Sequence, residues 1–156
     1  MAYEEKFMKK AITLAKRAFK LDEVPIGAVI VRDGEVLATA YNRREKTNDA
    51  TAHAEILAIK KACKKIGDFR LLDADIYVTL EPCVMCMGAI LNARLSNVYF
   101  GAFISNGSIS ATELSNRAEL NHKTNVFGGY QEAECSHMIS SYFKSKRLKK
   151  NDKSNV

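Results

Sequence analysis

Two short stretches, His53-Ala54-Glu55 and Glu81-Pro82-Cys83-Val84-Met85-Cys86, constrain this chain more than anything else in it. Each stands where a helix is expected to begin. If the two helix starts meet, one imidazole, two thiols and one spare carboxylate share a point. That is the donor set of a catalytic zinc site with a proton carrier beside it. A structural zinc site is closed by four protein ligands, whereas a catalytic one keeps a position open for water. Three convincing ligands stand here (His53, Cys83 and Cys86), and no convincing fourth.

Taken alone, the pair Cys83 and Cys86 is ambiguous. C-x-x-C after a strand, at a helix N-terminus, also serves thiol redox chemistry, and two buried cysteines can simply be small hydrophobes. The histidine stretch shifts the balance towards metal. In mid-helix, residues i and i+2 point to different sides. In a first turn entered from a loop, His53 and Glu55 can both approach one ion. Helix N-termini favour anions, which suits two thiolates and an ionised Glu55. Two thiolates also donate charge to the metal, so its water is less acidified than in an all-histidine site. The nearby base, Glu55, then has to take that proton. Cys63 falls about two and a half turns beyond His53; it and Cys135 read as core thiols. His137 reads as a helix-surface residue, and His122 stays open.

The rest of the chain sets limits. With 156 residues there is one domain with room for a real core. The four cysteines have only one close pair, which is no disulfide framework. No run of about 18 apolar residues is present to span a membrane. The charged N-terminus leads into no signal core, so a reducing cytoplasm is expected. Net charge is +6. Most of the excess sits in Lys144, Lys146, Arg147, Lys149, Lys150 and Lys153. A solvated helix end explains that as well as a phosphate-rich partner does.

Periodicity predicts a helix over Glu4–Lys20, a hairpin over residues 26–41 turning at Asp33-Gly34, and a polar loop from Asn42 to Thr51. Thr51 is the expected N-cap of a helix over Ala52–Ile66, with Ile56, Leu57, Ile59 and Ala62 inward. A strand over Ala74–Leu80, a helix over Cys83–Leu91 and a strand over Asn97–Gly101 follow. Residues 103–117 give no clear pattern. A last strand is expected over Lys123–Phe127, and a closing helix over Gln131–Lys149. The domain is therefore 1–149, with residues 150–156 a frayed, disordered basic tail. Helices alternating with strands indicate a layered α/β fold, and the hairpin makes its sheet mixed.

H-x-E followed by P-C-x-x-C is the signature of the zinc-dependent nucleobase deaminases. Glu23-Val24-Pro25-Ile26-Gly27-Ala28, Ala52-His53-Ala54-Glu55 and Tyr77-Val78-Thr79-Leu80-Glu81-Pro82-Cys83-Val84-Met85-Cys86 resemble the bacterial tRNA adenosine deaminases, as do Asn121-His122 and Ser141-Tyr142-Phe143-Lys144. The resemblance runs from about residue 4 to residue 147. It implies a three-layer α/β/α cytidine-deaminase-like fold with a central mixed five-stranded sheet. It implies one zinc ion per subunit, held by His53, Cys83 and Cys86, and a homodimer with sites near the interface. The implied reaction is hydrolytic deamination of adenosine to inosine at the wobble position of a tRNA anticodon stem-loop. A zinc-bound hydroxide attacks, and Glu55 shuttles the proton. Asn42 matches the asparagine that contacts the target nucleotide, Ile26 and the Ala54 backbone would line the purine slot, and Tyr142 and Phe143 match an aromatic pair near the flanking bases. A core pair on an amphipathic helix is the bland reading of those two aromatics. Arg43, Arg44, Lys144, Lys146 and Arg147 could meet phosphates or be solvated.

The chain departs from that pattern over Phe103–Ser110. The family carries an aspartate and a lysine there, in a longer loop that helps hold the RNA backbone; Ile104 and Asn106 stand in their place. The departure leaves the zinc chemistry untouched and bears on RNA grip. Three other functions compete: the same chemistry on a free purine such as guanine, or on cytosine; a nucleic-acid-binding module with a structural zinc; and a thiol redox protein.

Overall fold

The computed structural model describes residues 2–104, 109–117 and 119–154. Ser105, Asn106, Gly107 and Ser108, the middle of the loop that departs from the family pattern, lie outside the described residues.

The elements in chain order are α1 (Glu5–Lys20), β1 (Gly27–Arg32), β2 (Glu35–Tyr41), α2 (Arg44–Thr47), α3 (Ala54–Ile66), β3 (Ala74–Leu80), α4 (Val84–Asn92), β4 (Asn97–Ala102), α5 (Ala111–Ser115), β5 (Asn125–Phe127) and α6 (Glu132–Ser154). The five strands form one sheet in the order β2-β1-β3-β4-β5. β1 runs antiparallel to both β2 and β3, while β3, β4 and β5 are parallel. The expected mixed α/β sheet is therefore present.

Side-chain alternation along the strands builds the three layers. Ala28 and Ile30, Ile76 and Val78, and Val98 and Phe100 face one way, against Ala54, Ala58 and Ala62 of α3 and Met87 and Ile90 of α4. Val29, Val31, Tyr77 and Tyr99 face the other way, against Phe7, Met8, Ala11 and Ala15 of α1 and Cys135 and Met138 of α6. Successive strand residues point to opposite faces, and both faces here are covered. The β1–β2 hairpin turns where expected, with Asp33 and Gly34 both in the left-handed region at φ 52° and 75°. That is the pair of positive φ values a two-residue type I′ turn needs.

Four expectations shift. The α3 cap is His53, not Thr51, because Asp49 Oδ1 takes both the Thr51 N–H and its hydroxyl and uses that residue in the preceding turn. The inward face of α3 is Ala54, Ala58 and, as expected, Ala62, with Leu57 and Ile59 only partly buried at the core's margin and Ile56 half-buried outside that cluster; small residues let the helix lie close to the sheet. Two short helices, α2 and α5, fall where only loop was expected. Finally, α6 continues past Lys149 to Ser154, with residues 150–154 exposed. Lysines and polar residues remain adequate helix formers on a solvated turn.

Candidate active site

The two motif stretches become the first turns of two adjacent helices. His53 is the N-cap of α3, and Cys83 is the N-cap of α4. Both backbones are extended there (ψ 151° and 175°), and neither side chain caps its own helix. The side chains are thereby freed to point at each other. His53 Nδ1 lies 3.7 Å from Cys83 Sγ and 3.5 Å from Cys86 Sγ. The three donor atoms fall within 4.8 Å of one another and could hold a metal ion. Cys86, the third residue of α4, is buried, while His53 and Cys83 are half-buried.

Charge at this point is unevenly shared. Cys83 is pulled down to about 4, first by the hydrogen bond from Cys86 and then by that with His53, against the opposing effect of burial. Cys86 is pushed up, first by sharing its hydrogen with Cys83 and then by burial. His53 is raised, chiefly by its contact with Cys83. The N-terminal ends of α3 and α4 add their partial positive charge.

Glu55 sits one residue into α3, 3% exposed. Its Oε1 is buried with no hydrogen-bond partner among the described residues. Burial raises its pKa, and the Cys83 charge acts in the same direction. An orphaned carboxylate oxygen inside a protein is costly unless a ligand or water meets it.

The other expected residues have the following surroundings. Asn42 is buried; its Oδ1 accepts from Arg44 N at 3.3 Å and its Nδ2 donates to Val24 O at 3.5 Å. Both bonds are long enough to be exchanged for a ligand's. Asn42 N donates to Ile26 O, and Arg43 N donates to Ala52 O, which ties this segment to the residue before His53. Ile26 is half-buried and Ala54 fully buried. The aromatic pair divides. Tyr142 is buried edge-on to Phe19, with its hydroxyl donating to Asp22 O, whereas Phe143 is 45% exposed. Lys146 pairs with Asp22 at 2.9 Å. Cys135 is fully buried as expected, but Cys63 is only half-buried, its thiol donating to Phe69 O. His122 Nε2 meets Leu95 O at 2.9 Å and holds a loop.

Two acidic residues of the quoted motifs, Glu81 and Glu23, have partners that the sequence did not reveal. Glu81, immediately before Pro82-Cys83, is 5% exposed and accepts from Ile104 N at 3.1 Å and Ala111 N at 2.8 Å. It joins the start of α5 to the cysteine turn. Glu23 is fully buried and accepts from the backbone of α2. Neither position carries a local signal, because in each case the partner backbone is remote in sequence.

A family model for MafB19-like deaminases matches residues 2–134, so the chain is a deaminase by class. The chain is 47% identical to the tRNA-specific adenosine deaminase of Bacillus subtilis (strain 168), over 96% of this chain and 94% of that protein. A solved structure of a tRNA:A34 deaminase, studied for A-to-I editing at the wobble position of transfer RNA, superposes with a TM-score of 0.82. It is 43% identical and covers 86% of this chain and 99% of its own. The guanine deaminase of Bacillus subtilis superposes with a TM-score of 0.62 at 44% identity, covering 65% of this chain and 66% of that one. The chain belongs to the tRNA-specific adenosine deaminase family.

Proposed function

We propose that this protein deaminates adenosine to inosine at the wobble position of a tRNA anticodon, with His53, Cys83 and Cys86 as zinc ligands and Glu55 as the proton carrier. The observation that carries the reading is the buried, unpartnered Glu55 Oε1 beside the three donors. The donor set fits zinc. Nitrogen and sulfur at zinc bonding distances in a tetrahedral site stand about 3.6 Å apart, and the N···S distances here are 3.5 and 3.7 Å. Bound there, zinc would supply Lewis acidity and lower the pKa of a water.

Everything else falls to the chain's own side chains. Glu55 has a raised pKa, so it is basic enough to take the water proton and acidic enough to give it up again. It passes that proton to a ring nitrogen of the adenine and then helps the amine leave as ammonia. The C6–N bond breaks, a C6–O bond forms, and one water is consumed. Asn42 would hold the target nucleotide through its two exchangeable bonds. Ile26 and Ala54 would wall the purine slot. Phe143 has the exposed face that stacking on a flanking base requires, and Tyr142 would support it from beneath at 5.3 Å between ring centres.

The proposal extends to a homodimer with one zinc per subunit. Exposed Val84 and Met85 on the cysteine turn support an interface close to the site. It extends to one deaminase domain over residues 1–149, whose closing helix runs on to Ser154, and to the cytoplasm, since thiolate ligands need a reducing compartment. Among the described residues, no helix is long and apolar enough to cross a membrane. A free purine is the second reading, favoured by the similarity to a guanine deaminase. Inosine formation in an anticodon stem-loop, measured with protein of known zinc content, tests the proposal. Zinc-loaded protein that leaves the stem-loop unchanged contradicts it.

A further inference from the structure

We propose that Glu23 is a positioning residue, which holds the rim of the site formed by residues 42–47 and acts on the substrate through Asn42. The inference rests on the reading of Asn42 as a nucleotide contact.

Glu23 lies between α1 and β1 with none of its surface exposed. Its Oε1 accepts from Glu45 N at 2.7 Å and Lys46 N at 3.3 Å, and its Oε2 accepts from Glu45 N at 3.2 Å. These N–H groups belong to the first turn of α2, which has no partner for them within the helix. The α2 N-cap, Arg43, provides no side-chain cap. The remaining N–H of that turn, from Arg44, goes to Asn42 Oδ1. Glu23 and Asn42 therefore share the capping of one helix end. The stretch around Glu23 is bonded to the same segment twice more, through Val24 O to Asn42 Nδ2 and Ile26 O to Asn42 N.

Burying a carboxylate is expensive, and hydrogen bonds repay it only in part. A residue that bore such a cost for stability would brace the core. Helix α2 has no buried residue, and Arg43 to Asn48 are all exposed. What Glu23 holds is an exposed strip of chain whose value lies in where it stands. That strip carries Asn42 at one end, and Arg43 N reaches Ala52 O beside His53.

The test uses the zinc-loaded full chain on an anticodon stem-loop, below the unfolding temperature of every variant and per mole of bound zinc. Glu23→Ala should lower kcat/KM by about tenfold or more. Glu23→Gln should stay within about threefold, because an amide oxygen can replace Oε1. Combining Glu23→Ala with Asn42→Ala should cost no more than Asn42→Ala alone, since residues acting as a unit are not additive. A residue that only supports the fold gives losses that multiply. Should Glu23→Ala fail to fold, Glu23→Asp keeps the charge but withdraws the carboxylate by one methylene from its 2.7 Å contact with Glu45 N, and should lower kcat/KM in the same direction. Wild-type kcat/KM in Glu23→Ala or Glu23→Asp, or multiplying losses in the double variant, overturns the inference. A wild-type protein inert on the stem-loop instead removes the deamination reading beneath it.

Discussion

His53 Nδ1 and Cys83 Sγ stand 3.7 Å apart across a separation of 30 residues. The contact exists because α3 and α4 pack side by side on one face of the sheet and begin at the same end. Each contributes its capping residue, so the extended backbone at the cap aims the side chain outward from the helix. Cys86 comes from the third residue of α4 and reaches the same nitrogen at 3.5 Å.

Removing one donor should therefore loosen both helices. Cys86→Ala is expected to lose bound zinc and thermal stability together, because binding to a folded-only site is folding free energy. Chelation of the wild-type protein should lower its Tm in the same way. At a free zinc concentration about 1,000 times Kd, linkage gives about 4 kcal/mol. Calorimetry with metal analysis checks both. A stable, zinc-replete Cys86→Ala protein would contradict the ligand assignment.

Glu55 should behave in the opposite manner. Glu55→Ala removes a buried carboxyl with an unmet oxygen, so zinc content should be kept and Tm should not fall. Deamination should drop by several orders of magnitude, beyond the factor of about 10²–10⁴ typical for loss of a general acid–base. Single-turnover inosine assays give the rate, and substantial residual activity refutes a proton-carrying role.

The shared hydrogen between the cysteines predicts a pH dependence for the metal-free protein. Thiolate is present above the thiol pKa and lost below it. An ordinary cysteine therefore stops reacting with iodoacetamide as pH falls through about 8.5. Cys83 should stay reactive until near its depressed value of about 4, while Cys86 stays protected. Mass mapping of chelated protein across pH tests this. Preferential labelling of Cys86, or loss of all labelling below neutrality, would contradict it.

Gly27 marks where α1 rests on β1. A Cβ there would strike the Ala11 carbonyl oxygen and come within 2.8 Å of Ala15 N. Helix backbone cannot step aside as a side-chain tip can, so Gly27→Ala should destabilise by about 1–3 kcal/mol or more. Because Gly27 N donates to Thr79 Oγ1 in β3, the strand that leads into the cysteine turn, the shift should also reach the site. Denaturant unfolding measures the first effect, and an unchanged midpoint would show that the helix yields freely.

The parts of this molecule legible in sequence are those with a local cause. The continuously apolar, continuously buried run Ala28-Val29-Ile30-Val31 and the Asp33-Gly34 turn are written in adjacent residues. So are the helix starts that carry His53 and Cys83. The three-donor cluster was legible because its types and spacings leave few other uses. Helix α5 also had a local mark, the Ser110–Glu113 capping box, which the surrounding Ser, Gly and Asn residues obscured. Helix α2 had none: four exposed residues are organised by a carboxylate twenty-odd positions away. The split between Tyr142 and Phe143 likewise depends on how α6 lies against Phe19 and Asp22, which no periodicity within α6 reveals.

The most direct test is a competition assay. Zinc-loaded protein is offered an anticodon stem-loop with adenosine at the wobble position, together with free guanine, adenine, adenosine and cytidine, and each product is measured. Inosine in the stem-loop, with the free compounds unchanged, is the predicted result. Conversion of guanine or another free compound, with the stem-loop left intact, would contradict the account while leaving His53, Glu55, Cys83 and Cys86 in their roles.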